Sequence, residues 1–139
     1  MYTLTKEFRF EAAHLLENHG GKCRNLHGHS FKGKIVVRGK HIIQSGPRTG
    51  MLLDYGDLKS IIEPVVEQYL DHRYLNETLV TDSPTSEFIA EWVYHKILRQ
   101  INSFGVELVA VVIDETCTSR CVYSCEEFQQ LPWFQGSVM

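Results

Sequence analysis

In residues 4–14, LTKEFRFEAAH, the side chains of Leu4, Phe8, Phe10 and Ala12 fall on even positions, and His14 takes the next place in that series. A period of two is the mark of a half-buried strand, so His14 stands at the end of an apolar face. Ser30 to Lys40, SFKGKIVVRGK, mixes β-branched and charged residues and predicts a second strand, paired with the first after a long, histidine-containing connection. HIIQSGPRTG follows as a loop, punctuated by Gly46, Pro47 and Gly50.

The period then changes. Leu58, Ile61, Ile62, Val65, Val66, Tyr69 and Leu70 recur at three- and four-residue spacing behind Asp54, which predicts an amphipathic helix with Asp54 as its N-cap. Pro64 lies inside it and should kink it. A second helix is expected to open at Ser83-Pro84, cap followed by proline, with Phe88, Ile89, Trp92, Val93, Ile97 and Ile101 along one side and Gly105 at its end. From Val106 to Cys117 the alternation returns, with Val109, Val111, Ile113 and Glu115 on one face, and Arg120 to Cys125 forms a short antiparallel partner. The order ββααββ argues for an α+β fold: a four-stranded antiparallel sheet with both helices on one face. Residues 1–125 make one domain, followed by a tail at 126–139 whose anchors are Leu131, Trp133 and Phe134.

Composition narrows the function. A net charge of −3 lacks the basic excess of a nucleic-acid binder, though a local pocket for a phosphorylated small molecule is compatible with it. The N-terminal MYTLTKEFRF is charged and alternating where an export signal would be apolar, and no apolar run approaches the roughly 18 residues of a membrane span. A cytoplasmic protein without membrane contact is expected. Its four cysteines are then read as free thiols, ligands or catalysts rather than disulfides.

The stretch CRNLHGHS, Cys23 to Ser30, concentrates donors. On an extended backbone His27 and His29 project to the same side, and His14 on the neighbouring strand can supply a third imidazole. Three histidines with an open fourth position form a catalytic zinc arrangement. The competing reading is of scattered hydrogen-bonded histidines. The H-G-H pair beside a cysteine and downstream of a strand-terminal histidine argues against it, as does Gly28, which lets the backbone curl around an ion. His19, His41 and His95 have no such company. Cys23 is either a fourth ligand, closing a structural site, or a separate reactive thiol. Asp71-His72 offers a carboxylate beside an imidazole, either a functional pair or a solvated helix end. Glu115 follows apolar residues on its strand face and must find donors, from the protein or from a ligand with adjacent N–H groups such as a pterin-like ring. Cys117, Cys121 and Cys125 are spaced C-x3-C-x3-C, one residue too long in the last gap for a radical iron–sulfur triplet, and are read as small buried residues on one face.

FEAAH ending in His14, the C-x3-HGH of 23–29, GMLLDYGDLK at 50–59, LDHRYLN at 70–76, PTSE at 84–87 and ETCTSRC at 115–121 occur in this order from about Phe8 to Tyr123. Together they resemble the 6-pyruvoyl-tetrahydropterin synthase superfamily of the tunnelling fold, and within it the 6-carboxytetrahydropterin branch of queuosine biosynthesis, which the three-residue gap between Cys23 and His27 and the ETCT block favour. Residue by residue, the resemblance implies that His14, His27 and His29 bind zinc. It makes Cys23 the catalytic thiol, Asp71 and His72 its relay, and Glu115 the pterin anchor, with Thr85 and Ser86 helping to hold the ring. The implied reaction is a zinc-dependent carbon–carbon lyase step converting 7,8-dihydroneopterin triphosphate to 6-carboxytetrahydropterin, acetaldehyde and triphosphate. Lys22, Arg24, Lys32 and Arg73 are candidates for the triphosphate, and the implied assembly is a homohexamer of two trimers. The alternatives are a pyruvoyl-type synthase that eliminates triphosphate without carbon–carbon cleavage, and a non-catalytic zinc-stabilised binding module.

Overall fold

The computed structural model describes residues 1–124. Strand β1 (Tyr2–His14) and strand β2 (His27–Gly39) pair antiparallel along their whole length, from Tyr2 opposite Gly39 to His14 opposite His27. The second strand therefore begins three residues earlier than its β-branched composition suggests. The histidine pair lies in the strand, and the connection is the segment 15–26, with one 3-10 turn (Lys22–Arg24). β4 (Glu107–Thr116) pairs with β2, and β5 (Ser119–Ser124) with β4, both antiparallel.

Among the described residues the sheet has five strands rather than four. A two-residue strand β3 (Arg73–Tyr74) lies parallel to β1 at Ala12–Ala13, giving the order β3-β1-β2-β4-β5 and making the sheet mixed. Its apolar content is too small to leave a periodic signal. The expected α+β architecture otherwise holds. Helix α1 (Tyr55–Val65), the short α2 (Leu75–Thr78) and α3 (Ser86–Asn102) share one core with the sheet, in which Phe8, Phe10, Phe31, Ile35, Val37, Leu108, Val111 and Ile113 meet Leu58, Ile62, Ile89, Val93 and Ile97.

Asp54 caps α1 as expected, accepting from the Gly56 N–H at 2.7 Å. Pro64 does not break the helix. α1 runs through it into a π turn (Val66–Leu70), in which the Asp71 N–H reaches the Val66 carbonyl at 2.7 Å. The wide turn takes from the Glu67 carbonyl its helical partner, and the Arg73 guanidinium supplies one at 3.1 Å. α3 starts later than Ser83-Pro84 suggests. Thr85 is the N-cap, its hydroxyl accepting from the Phe88 N–H at 3.2 Å, and Pro84 lies outside the helix with its carbonyl free for another use.

Two strand-level expectations are corrected. A bulge sets Val37 opposite Leu108 but Val36 opposite Ala110, so Val109 is the extra residue, and Leu108, not Val109, shares the helix-facing side with Val111 and Ile113. The cysteine triplet does not form a buried stripe: Cys117 is exposed in the β4–β5 turn, and Cys121 on β5 is half-buried, with its thiol pushed up by desolvation and then by Glu87. Cys125 and the tail 126–139 lie outside the described residues. No helix among those residues is long and apolar enough to cross a membrane.

Candidate active site

The helix-facing side of β1 and β2 is aromatic towards its end. Phe10 stacks on Phe31 at 4.8 Å, and the rings of His29 and His14 stand edge-on to Phe31 at 5.4 and 5.9 Å. The strands thus carry their core face beyond the apolar residues into a three-histidine cluster. His14 and His27 are directly opposed, and His29 lies diagonally, opposite Ala12, whose small side chain leaves room for the rings. Centroid separations are 4.6 Å for His14–His27 and 5.0 Å for each other pair.

Hydrogen bonds fix which nitrogen faces inward. Nδ1 of His14 is 2.8 Å from the Pro84 carbonyl, and Nδ1 of His27 is 2.7 Å from the Asn25 carbonyl. A carbonyl only accepts, so each Nδ1 carries the proton and each Nε2 keeps its lone pair. Nε2 of His14 and Nε2 of His29 are buried without a hydrogen-bond partner among the described residues. One ligand atom from each of the three histidines lies within 4.8 Å of the others. Small side-chain rotations from that spacing bring three nitrogens to the ~2.0–2.1 Å of a zinc–imidazole bond. Two orphaned, buried Nε2 atoms, on His14 and His29, and two Nδ1 atoms held by carbonyls, on His14 and His27, within one cluster of three mutually close imidazoles fit the donor set of a divalent metal. His14 is 1% exposed, and its pKa is lowered, chiefly by desolvation and then by its histidine neighbours against the raising pull of the Pro84 bond and Glu115; the neutral, ligating ring is the favoured form.

The remaining predicted residues divide around this cluster. Glu115 comes close, with Oε1 3.6 Å from Nε2 of His29, too long for a hydrogen bond, and it is not one of the three mutually close donors. β4 bulges against β5 there, since Asp114 pairs with Arg120 and Thr116 with Ser119, leaving Glu115 as the extra residue. Cys23 sits half-buried as a free thiol in the 3-10 turn and stands outside the ligand group. Its carbonyl accepts from the N–H of Leu16 at 2.8 Å, tying the turn to the exit of β1 two residues past His14.

Asp71 and His72 do form a pair. Oδ2 of Asp71 lies 2.9 Å from Nδ1 of His72, and Oδ1 accepts from the Glu11 N–H at 2.9 Å. The Glu11 bond holds the Asp71 carboxyl below its usual range against an opposing desolvation, and His72 adds smaller lowering contributions. His72 occupies the left-handed region, φ 59°, and its N–H reaches the Glu11 carbonyl at 2.6 Å. A non-glycine residue held there is strained, and such strain gathers at functional sites. The His72 side chain is 79% exposed and meets Asp71 rather than Cys23. The Thr85 hydroxyl is committed to its cap, and that of Ser86 donates to Glu87 at 2.8 Å. Of the phosphate candidates, Arg73 serves the π turn and Lys32 stands 3.7 Å from Glu7.

Two contributors had no signal in the sequence, the carbonyls of Pro84 and Asn25, because every residue has one and only the fold decides where it points. Glu11 is a third: its peptide holds both Asp71 and His72.

A family model described as 6-pyruvoyl tetrahydropterin synthase matches residues 3–126. The chain is 47% identical over 123 residues to a protein of Synechocystis named 6-carboxy-5,6,7,8-tetrahydropterin synthase, covering 88% of this chain and 93% of that one. It is 31% identical to a protein of the same name from Haemophilus influenzae, with 88% and 99% covered. The solved 6-pyruvoyl tetrahydropterin synthase of Caenorhabditis elegans superposes with a TM-score of 0.74 at 29% identity, over 89% of this chain and 95% of that one. The sheet, the histidine cluster and a match spanning nearly all the described residues agree: the chain belongs to the 6-pyruvoyl tetrahydropterin synthase family.

Proposed function

We propose that this chain is a zinc-dependent 6-carboxy-5,6,7,8-tetrahydropterin synthase, converting 7,8-dihydroneopterin triphosphate to 6-carboxytetrahydropterin, acetaldehyde and triphosphate on the route to queuosine. The observation that carries the reading is the convergence of His14, His27 and His29 with two buried, unpartnered Nε2 atoms. The two relatives of highest identity described above both bear the carboxy name, which favours that branch over the pyruvoyl one.

In this reading the three histidines hold the ion. When bound there, zinc would supply Lewis-acid chemistry, lowering the pKa of substrate hydroxyl groups. Cys23 stays off the metal and moves a proton between the substrate side chain and the ring. Asp71 fixes His72 as the Nδ1–H tautomer, leaving Nε2 as the basic nitrogen of the relay. The Glu115 carboxylate receives the adjacent N–H groups of the pterin, and Thr85 and Ser86 border it through their backbone, their hydroxyls being engaged. Lys22 and Arg24, on the turn that carries Cys23, are the basic side chains offered to the triphosphate.

Incubation of the zinc-loaded protein with dihydroneopterin triphosphate and mass analysis of the products tests this. Acetaldehyde with 6-carboxytetrahydropterin is expected. Triphosphate release with all pterin carbons retained would assign the pyruvoyl reaction instead, and no turnover with zinc bound would leave a binding module. The assembly we infer is a homohexamer, because among the described residues the outer edge of β1 is covered only at its end, from Glu11 onward, and β5 closes the other side of the sheet without a neighbouring strand. Sedimentation equilibrium should give six times the chain mass.

A further inference from the structure

The segment after the π turn follows β1 for longer than its two-residue strand. At one end the Asp71 side chain takes the Glu11 N–H and the His72 N–H takes the Glu11 carbonyl. Ala12–Arg73 and Ala13–Tyr74 then pair as parallel strands. At Leu75 the backbone turns into α2 and leaves β1, where the next peptide of the ladder would lose its partner. Asn76 fills the gap: its Oδ1 accepts from the Leu15 N–H at 3.0 Å and its Nδ2 donates to the Leu15 carbonyl at 2.8 Å. A carboxamide is the side chain that presents a donor and an acceptor as a peptide does; a carboxylate lacks the donor.

We propose that Asn76 is a positioning residue for the metal site, holding the end of β1, and with it His14, against the segment that bears Asp71 and His72. The inference rests on the metal reading above. His14 is bracketed by this clamp on the following residue and by the Pro84 carbonyl on its own ring. Freeing the Leu15 peptide lets the Cα of His14 move, and a ligand held to within about half an ångström is what a preorganised site needs. The coupling runs both ways: if Asn76 favours the ion, the ion favours the clamp by the same factor.

The experiment uses the full-length chain with zinc alone, in competition with a chromophoric chelator. Asn76→Ala is expected to weaken zinc binding ~10–100-fold, the range seen when a partner behind a metal ligand is lost, and to alter the visible bands of the cobalt(II)-substituted protein. Thr78→Val is the control. It removes the 2.7 Å bond from α2 to the Tyr69 carbonyl without touching β1, and should lower stability while leaving zinc affinity and the cobalt spectrum unchanged. Should Asn76→Ala not fold, Asn76→Asp, which keeps the acceptor and loses the donor, is judged by the same measurements. In the wild-type chain, zinc should slow amide exchange at Leu15 by about the factor that the substitution costs in affinity. Wild-type zinc affinity in a folded Asn76 variant, an equal loss in Thr78→Val, or Leu15 exchange indifferent to zinc would overturn the proposal. Failure of the wild-type chain to bind zinc would instead overturn the reading on which it rests.

Discussion

Two residues of one short motif, Cys23 and His27, have different physical tasks. His27 faces the cluster with Nδ1 already committed to a carbonyl, whereas Cys23 stands outside the ligand group. His27→Ala should therefore weaken zinc by more than the ~10–100-fold that an outer partner is worth, while Cys23→Ala keeps one zinc per chain and loses turnover; metal analysis beside a product assay checks both. Asp71→Asn keeps an oxygen for the Glu11 N–H but sets an amide against Nδ1 of His72, forcing the other tautomer. Turnover should fall ~10²–10⁴-fold, the usual worth of a positioned acid–base group. Since folding lowers the Asp71 pKa, the carboxylate adds stability above the unfolded value near 3.9, and that addition disappears as pH falls through the lower folded value. Urea midpoints of wild type and Asp71→Asn should differ at pH 7 and converge below pH ~4. At this scale the sequence spoke clearly where parity alone decides: His14 on the even series and the two-residue step from His27 to His29 led directly to the cluster. It was silent on Pro84 and Asn25, which act through main-chain oxygens.

Among the elements of the described residues, period and caps located every helix longer than four residues and four of the five strands. The errors have local causes. β2 reaches back to His27 because pairing with β1, not β-propensity, sets its start. α3 is capped by Thr85 rather than by the expected Ser83, because the Thr85 hydroxyl accepts from the Phe88 N–H while that of Ser83 is engaged with Asp82. β3 and α2 are too short to show a period, and they carry the segment that joins Asp71 to β1. Gly33 is one element-level feature open to direct test. It sits opposite Phe8, and a Cβ there would stand 2.1 Å from the Phe8 ring, which covers the place a side chain would fill. Gly33→Ala should displace that ring and cost about 1–3 kcal/mol, as overpacking does, lowering Tm by several degrees in calorimetry while zinc stoichiometry stays unchanged.

For the molecule as a whole, the sheet separates two kinds of surface. The helix-facing side holds the main core and the cluster, and the other carries buried Val36, Ala110 and Val112 beside paired charges, Glu7 with Arg9 and Lys32, and Asp114 with Arg120. An ion bound by His14, His27 and His29 would tie the ends of the two longest strands, so it should stabilise the native state by mass action, about 2.7 kcal/mol at a hundredfold excess over Kd. Chelation should lower Tm and zinc should restore it; a Tm indifferent to both would separate the cluster from any metal. Finally, the bond between His14 and Pro84 spans 70 positions, although all three histidines occur within the first 29 residues. A ribosome would thus release a hairpin bearing every donor long before the carbonyl that locks the first ring has been made. An ion met during translation would encounter a first imidazole still free to rotate beside a His27 already held by its own neighbour, and secure retention would begin only when the later chain has supplied the Pro84 carbonyl.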